Sequence, residues 1–370
     1  MWPEVPLDQL GYVSRGRSRH RPRNDTSLYG GVYPFIQTAE VKAANLRICS
    51  HTQTYNERGL EQSHLWPENT LCITIAANIA DTALLSYPAC FPDSIVGFIA
   101  DNNKCDVRFV KYYFDIVQEH MRMVSQGATQ DNLSQDKLLR FGIPCPPIEV
   151  QRAIGNTLSA YDDLIETNRR RIALLEESAR LLYQEWFVNL RFPGVVVKNG
   201  ALPEGWSIRS LGELITLNYG KSLKDSMRID GDIPVYGSSG IVGTHNQALV
   251  IGATLIVGRK GNVGSVYYSA TSCFPIDTVY FVDGAQATYY NYLLLKSQSF
   301  VSSDTAVPGL NRTYAYSLTV LRPSDEALAL FEQNVTPLFD QVANLEQQNQ
   351  CLQAARDALL PKLMSGEMTV

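Results

Sequence analysis

The chain has 370 residues, 45% of them hydrophobic, with 32 Lys/Arg against 37 Asp/Glu for a net charge of −5. That length suits two or three domains with real cores. No apolar run approaches the ~18–20 residues of a membrane span, and the Met1-Trp2-Pro3-Glu4 start lacks a signal-peptide pattern, so a cytoplasmic chain that avoids membranes is expected. The acidic excess sits in residues 324–370, which hold 2 Lys/Arg against 7 Asp/Glu; elsewhere the balance is near neutral, so any nucleic-acid binding would need a cationic partner or a site read through base edges.

Residues 1–147 read as a mixed, strand-rich domain, with short apolar runs such as Leu71–Ile75 and Ile95–Ile99 broken by Gly, Pro and Asn. Its most charged stretch, SRGRSRHRPRN at 14–24, holds Arg15, Arg17, Arg19, His20, Arg21 and Arg23. Flanking Ser, Gly and Pro point to an exposed loop, which could be a solvated charged segment or a contact for phosphate and guanine, both of which suit the planar guanidinium fork. Downstream, Pro34-Phe35-Ile36-Gln37-Thr38 and Lys42 add polar groups. Pro144–Pro147 then closes the domain.

Residues 148–192 form a helical segment. Its seam positions, Leu158, Tyr161, Ile165, Asn168, Ile172, Leu175, Ala179, Leu182 and Trp186, alternate spacings of three and four, the signature of a heptad seam. Phe192-Pro193-Gly194 opens the link to a second strand-rich domain, 193–323. There the polar candidates are Lys221; Tyr236, Ser238 and Ser239 in PVYGSSG (234–240); His245 and Asn246; Arg259, Lys260 and Asn262 in GRKGN (258–262); and Asn311 and Arg312 in PGLNR (308–312), with Thr129–Asn132 as a further, weaker stretch of the first domain. Ser, Thr, Asn and Gln read base edges, and they equally cap turns.

The last segment, 324–370, repeats the seam through Leu328, Phe331, Val335, Leu338, Val342, Leu345, Asn349, Leu352, Arg356, Leu359 and Leu363. Pairing the two helices antiparallel with Asn168 opposite Asn349 brings Leu158 to Leu359, Ile165 to Leu352, Leu175 to Val342, Ala179 to Leu338 and Trp186 to Phe331. Only Tyr161 with Arg356 is neither apolar nor Asn–Asn, and the buried asparagine pair would set the register. Thr336-Pro337 resembles a helix start, which leaves open whether the helix runs through it or breaks there. Helices of ~35–40 residues would extend ~50–60 Å.

The chain also repeats internally. Trp2, Leu7, Leu10 and Gly16 match Trp206, Leu211, Leu214 and Gly220 at one offset, Phe91-Pro92 matches Phe274-Pro275, and Leu133, Phe141, Ile143 and Pro146 match Leu310, Leu318, Val320 and Pro323, in the same order. The expected fold is therefore α+β: two strand-rich domains separated by two long antiparallel helices. Catalytic signatures are lacking. Gly220-Lys221-Ser222 has Ile215 where a phosphate loop needs Gly, and the glycines of GRKGNVGS (258–265) do not fit a dinucleotide fingerprint. The seven cysteines are scattered without metal spacing, so no metal site is expected. The five histidines have no recurring partners.

With these features in place, the sequence resembles the specificity subunits of type I restriction–modification systems. The first half is similar through SRGRSRHRPRND (14–25) and GGVYPFIQTAEVKAAN (30–45), although Thr38-Ala39-Glu40 stands where members more often read Thr-Gly-Asp. The second is similar through GDIPVYGSSGIVG (231–243), IVGRKGNVGSVYY (256–268), FPIDTVYF (274–281) and AVPGLNR (306–312), and the helices through NRRRIALLEESARLLYQEWF (168–187) and RDALLPKLMSGE (356–367). The resemblance implies two target-recognition domains in a pseudo-two-fold arrangement, each contacting one half-site of double-stranded DNA. It implies helices that set the gap and dock two methyltransferase subunits, and restriction/motor subunits that join them. S-adenosylmethionine, ATP and Mg would be needed on those partners only, with no cofactor here. A stand-alone DNA methyltransferase or nuclease is the competing reading; activity without partners would distinguish it.

Overall fold

The computed structural model describes residues 2–76, 79–126, 135–194, 202–300 and 309–369. Two compact units emerge: residues 1–170 with 345–370, and residues 171–344.

In chain order the first unit contains β1 (Glu4–Pro6), α1 (Leu7–Leu10), β2 (Gly11–Arg15), β3 (Tyr29–Phe35), α2 (Thr38–Ala43), β4 (Arg47–Ile48), β5 (Gln53–Tyr55), α3 (Glu57–Glu61), β6 (Leu71–Thr74), β7 (Thr82–Leu85), β8 (Ile95–Ala100), α4 (Val107–Gln126), α5 (Gln135–Leu139), β9 (Gly142–Pro144) and the start of α6 (Ile148–Tyr183). Its main sheet has the order β2-β8-β6-β7-β4, with β3-β5 and β1-β9 as separate antiparallel pairs. All four residues of β6, Leu-Cys-Ile-Thr, are buried, as expected of a central strand covered on both faces. Trp66 stacks on Phe91 at 4.9 Å under this sheet.

The second unit contains β10 (Ser207–Ser210), α7 (Leu211–Leu214), β11 (Asn218–Tyr219), β12 (Ile233–Gly237), β13 (Gly240–His245), β14 (Thr254–Gly258), β15 (Val266–Ser269), β16 (Phe274–Pro275), β17 (Val279–Asp283), α8 (Tyr289–Ser297), α9 (Arg312–Ser317), β18 (Thr319–Arg322) and much of α10 (Asp325–Ser365). Its sheets run β11-β17-β14-β15, β13-β12-β16 and β10-β18.

The internal repeat is legible strand by strand. In each unit an opening strand runs into a one-turn helix, and that strand pairs antiparallel with the last strand before the long helix: Val5 opposite Ile143, Arg209 opposite Val320. The order β2-β8-β6-β7 recurs as β11-β17-β14-β15. Gly16 and Gly220 show why their positions repeat. A Cβ on Gly16 would lie 2.3 Å from the Pro92 carbonyl oxygen, and one on Gly220 would lie 2.0 Å from that of Ile276. Both glycines let one strand end cross closely over the Phe-Pro segment that the sequence also repeats.

α6 begins behind Pro146-Pro147, where the buried Gln151 side chain bonds the Asp106 N–H and the Pro146 carbonyl and fastens the first turn. It passes at Tyr183 into a π-turn over Gln184–Val188. α10 begins at Ser324, whose hydroxyl accepts from the Ala327 N–H, and stops at Gly366, φ +76°. Of the two courses left open at Thr336-Pro337, the helix takes the continuous one: α10 runs through it. Phe331, Val335 and Phe339 all point into the unit's core, and their burial outweighs the ~3 kcal/mol that an interior proline costs.

Within each unit the two long helices meet antiparallel in the predicted register. In the first, Asn168 Nδ2 donates to Asn349 Oδ1 at 3.0 Å, both residues buried. In the second, the Trp186 and Phe331 rings lie 5.8 Å apart. One layer needs correction: Arg356 does not face Tyr161 but ion-pairs with the buried Asp162, which also accepts from the Tyr112 hydroxyl at 2.5 Å. The residue that breaks the apolar pattern is thus matched by a carboxylate one position off the seam.

Candidate nucleic-acid interface

In the first unit the arginine-rich loop leaves β2 and packs beside the β3-β5 ribbon. Much of its charge is spent on its own shape. The Arg21 guanidinium donates to the Ser18 and His20 carbonyls, and Arg23 pairs with Asp93 at 2.7 Å. His20 Nε2 lies 2.8 Å from Asp25. The Ser27 N–H, the Ser27 hydroxyl and His20 together hold the Asp25 carboxyl below its ordinary pKa. Arg15, Arg17 and Arg19 make no ion pair or side-chain hydrogen bond among the described residues, so they are the cations this loop can offer to phosphate.

Beside the loop lies a groove of about 630 Å³ whose lining includes Arg23, Asn24, Tyr29, Gln37, Thr38 and Gln53. The structure therefore brings the arginine loop and the Gln37-Thr38 motif to one concave surface. Gln37 also has a structural duty: its side-chain amide donates to Gln53 Oε1 at 2.8 Å, and its N–H donates to Glu40. Glu40, where the sequence departs from its resemblance, accepts from the Thr52 hydroxyl as well. Lys42 is exposed on α2.

In the second unit, the β12-β13 turn and the 258–265 loop form one polar corner. Asn262 N–H donates to Ser238 Oγ at 3.4 Å and its side-chain amide to Ser239 Oγ at 3.2 Å, while Ser265 Oγ donates to the Ser238 carbonyl at 2.7 Å. Positive φ at Gly240, Gly261 and Gly264 permits these turns. Lys260 is exposed, and its backbone bridges to Gly309. Arg259 and Arg312 both lie over the Tyr219 ring, their guanidinium carbons 5.1 and 4.8 Å from its centroid.

Several expected readers have structural partners. His245 is buried, and its Nδ1 accepts from the Ile229 N–H at 3.1 Å. Asn311 caps α9, accepting from the Thr313 and Tyr314 N–H groups. Tyr236 is buried in a small core with Val250 and Phe281. Lys221 is exposed at the end of β11, and Asn246 packs its backbone over Gly231. Thr129–Asn132, Leu133 and Pro308 lie outside the described residues. Sequence reading missed Tyr219. Its signal was positional: it occupies on β11 the place that Arg15 occupies on β2, each just before the repeated glycine.

Among the described residues no helix is long and apolar enough to cross a membrane, and no group of three His, Cys, Asp or Glu could hold a metal ion.

Each unit thus carries a polar, arginine-bearing loop surface on the same α+β plan. The sequence pattern of the type I restriction modification DNA specificity domain matches residues 1–177 and 203–319, and the chain belongs to that family, whose role is DNA sequence specificity. It is 24% identical over all of its length and 94% of the relative's to the type I restriction enzyme MjaIX specificity subunit of Methanocaldococcus jannaschii. It is 21% identical to the HindI specificity subunit of Haemophilus influenzae, with 99% of both chains covered. A crystal structure of a type I restriction–modification S subunit from M. genitalium shares the fold, with a TM-score of 0.63 at 18% identity over 98% of this chain and 96% of that one.

Proposed function

We propose that this chain is a non-catalytic subunit that reads a bipartite DNA target, one half-site per unit, and docks the methyltransferase and restriction subunits of a type I complex. The observation that carries this reading is the repeat itself: the same strand order occurs twice, and each copy carries arginines without a carboxylate partner among the described residues, Arg15, Arg17 and Arg19 in the first and Arg259 and Arg312 in the second, together with polar loop residues. Polar side chains of these loops would read base edges while arginines position the backbone. The long helices α6 and α10, each contributing residues to both units, would set the gap between half-sites. S-adenosylmethionine, ATP and Mg would act on the partner subunits. The net charge of −5 argues that a cationic partner supplies much of the phosphate attraction.

Methylome sequencing of cells carrying the chain with its partners tests this. A split motif with a fixed non-specific gap is expected, and a continuous motif would overturn the reading. In gel shifts the lone chain should bind weakly at physiological salt and far better with a methyltransferase partner. Methylation or cleavage by the pure chain with Mg²⁺ and S-adenosylmethionine would favour the stand-alone enzyme instead.

A further inference from the structure

We infer that Arg259 and Arg312, held on Tyr219, form a phosphate anchor that positions the DNA backbone beside the second half-site without reading a base. This rests on the reading of the chain as a DNA-recognition subunit.

Three observations carry it. First, the two guanidinium groups lie over the same tyrosine ring, 5.1 and 4.8 Å from its centroid, and neither has a carboxylate partner among the described residues. The contrast within the same unit is sharp: Arg180, Arg191, Arg209, Arg228 and Arg322 each pair with an Asp or Glu. Two unneutralised cations gathered around one ring favour an anion over a neutral acceptor. A guanine edge offers its two acceptors to a single guanidinium and carries no charge to offset the second, whereas a backbone phosphate satisfies both conditions.

Second, the pair is pre-set. Arg259 Nη1 donates to the Asp277 carbonyl at 3.1 Å and Arg312 Nη1 to that of Leu217 at 3.5 Å, while cation–π contact with Tyr219 orients the planes. Fixed guanidiniums lose less side-chain freedom on binding. Third, the anchor adjoins the polar corner: Lys260 and Asn262 follow Arg259 in the same loop, and Asn262 reaches Ser239. In the first unit Arg15, unpaired at the end of β2, stands where Tyr219 stands on β11. The two units thus place positive charge at one topological position by different routes.

The test uses the full chain in complex with its methyltransferase partner, titrated at several salt concentrations against a labelled duplex carrying the methylome-derived target and a scrambled duplex of equal length. Arg259→Gln and Arg312→Gln should each weaken both duplexes by about tenfold at physiological salt and reduce the log–log salt slope by roughly 0.9. The methylated motif should stay unchanged. Arg312→Lys should keep the slope, and Tyr219→Leu should weaken binding while leaving the slope intact, because the ring orients the charges without being one. Thermal melting confirms which variants are folded, and Arg259→Gln carries the test if Arg312→Gln is not. An unchanged slope in folded Arg→Gln variants, loss of slope with Arg312→Lys, or a motif relaxed at one base position overturns the anchor. A wild-type complex that does not distinguish target from scrambled duplex overturns the recognition function itself, a separate failure.

Discussion

Replacing Arg356 by Leu should destabilise the first unit severely, although the seam pattern alone would call leucine the better residue. Asp162 has a side chain only 1% exposed, with Arg356 19% exposed, and the Tyr112 hydroxyl at 2.5 Å is its other side-chain donor. Removing the guanidinium leaves a buried carboxylate with one neutral donor. Breaking one side of such a pair costs about 3–5 kcal/mol. In a unit of this size each kcal/mol corresponds to roughly 2–4 °C in Tm, so the calorimetric transition of that unit should fall by about 6–20 °C. The companion double variant Asp162→Leu/Arg356→Leu removes both charges and should recover most of the loss, since apolar replacement of a whole buried pair is often neutral or better by about 1–4 kcal/mol. If Arg356→Leu shifts the transition by less than about 2 °C, or if the double variant is worse than the single one, the ion pair does not hold this layer and the reasoning fails.

Three further outcomes follow from the same geometry. Asn168 Oδ1 is buried with no hydrogen-bond partner among the described residues although its Nδ2 reaches Asn349, so Asn168→Leu/Asn349→Leu should raise Tm by a few degrees; a lower Tm would show that the asparagines contribute net stability as well as register. Burial raises the Glu332 pKa above 4.5 against the opposing pull of the Tyr290 and Tyr289 N–H groups. An acid with a raised folded pKa binds its proton longer in the folded state, so this group's contribution falls as pH rises from about 4.5 through the raised value. Relative to Glu332→Gln, the wild type should therefore lose stability over that window in urea titrations; a constant difference from pH 4 to 7 would remove Glu332 as the cause. Finally, His245→Ala should cost about 1–3 kcal/mol through the lost Ile229 hydrogen bond and the space left beside Phe274, while the methylated motif stays the same; a changed base in either half-site would return His245 to the readers.

The two helices and the repeat were legible because periodicity is a local property: apolar residues spaced three and four apart must share a face wherever the chain goes, and two asparagines in matching places are meaningful without coordinates. The continuity of α10 through Pro337 was not legible. Local chemistry favours a start at Thr336, and only burial of Phe331, Val335 and Phe339 decides against it. The loops were legible as composition and not as roles. Arg15 and Arg23 look alike in the sequence, yet Asp93, seventy residues away, neutralises one and leaves the other unpaired. Asn262 and Asn311 are both asparagines in polar loop stretches, but one bridges two loops and the other caps a helix.

What the sequence by itself determined is therefore the plan: two similar strand-rich domains, two long helices, their register, and a supply of basic and polar loop residues. Only the tertiary structure decided which charges are already satisfied, that Arg356 belongs with Asp162, and that Tyr219 gathers Arg259 and Arg312. Periodicity is written into neighbouring residues, whereas neutralisation depends on partners brought close by folding, which no local pattern encodes.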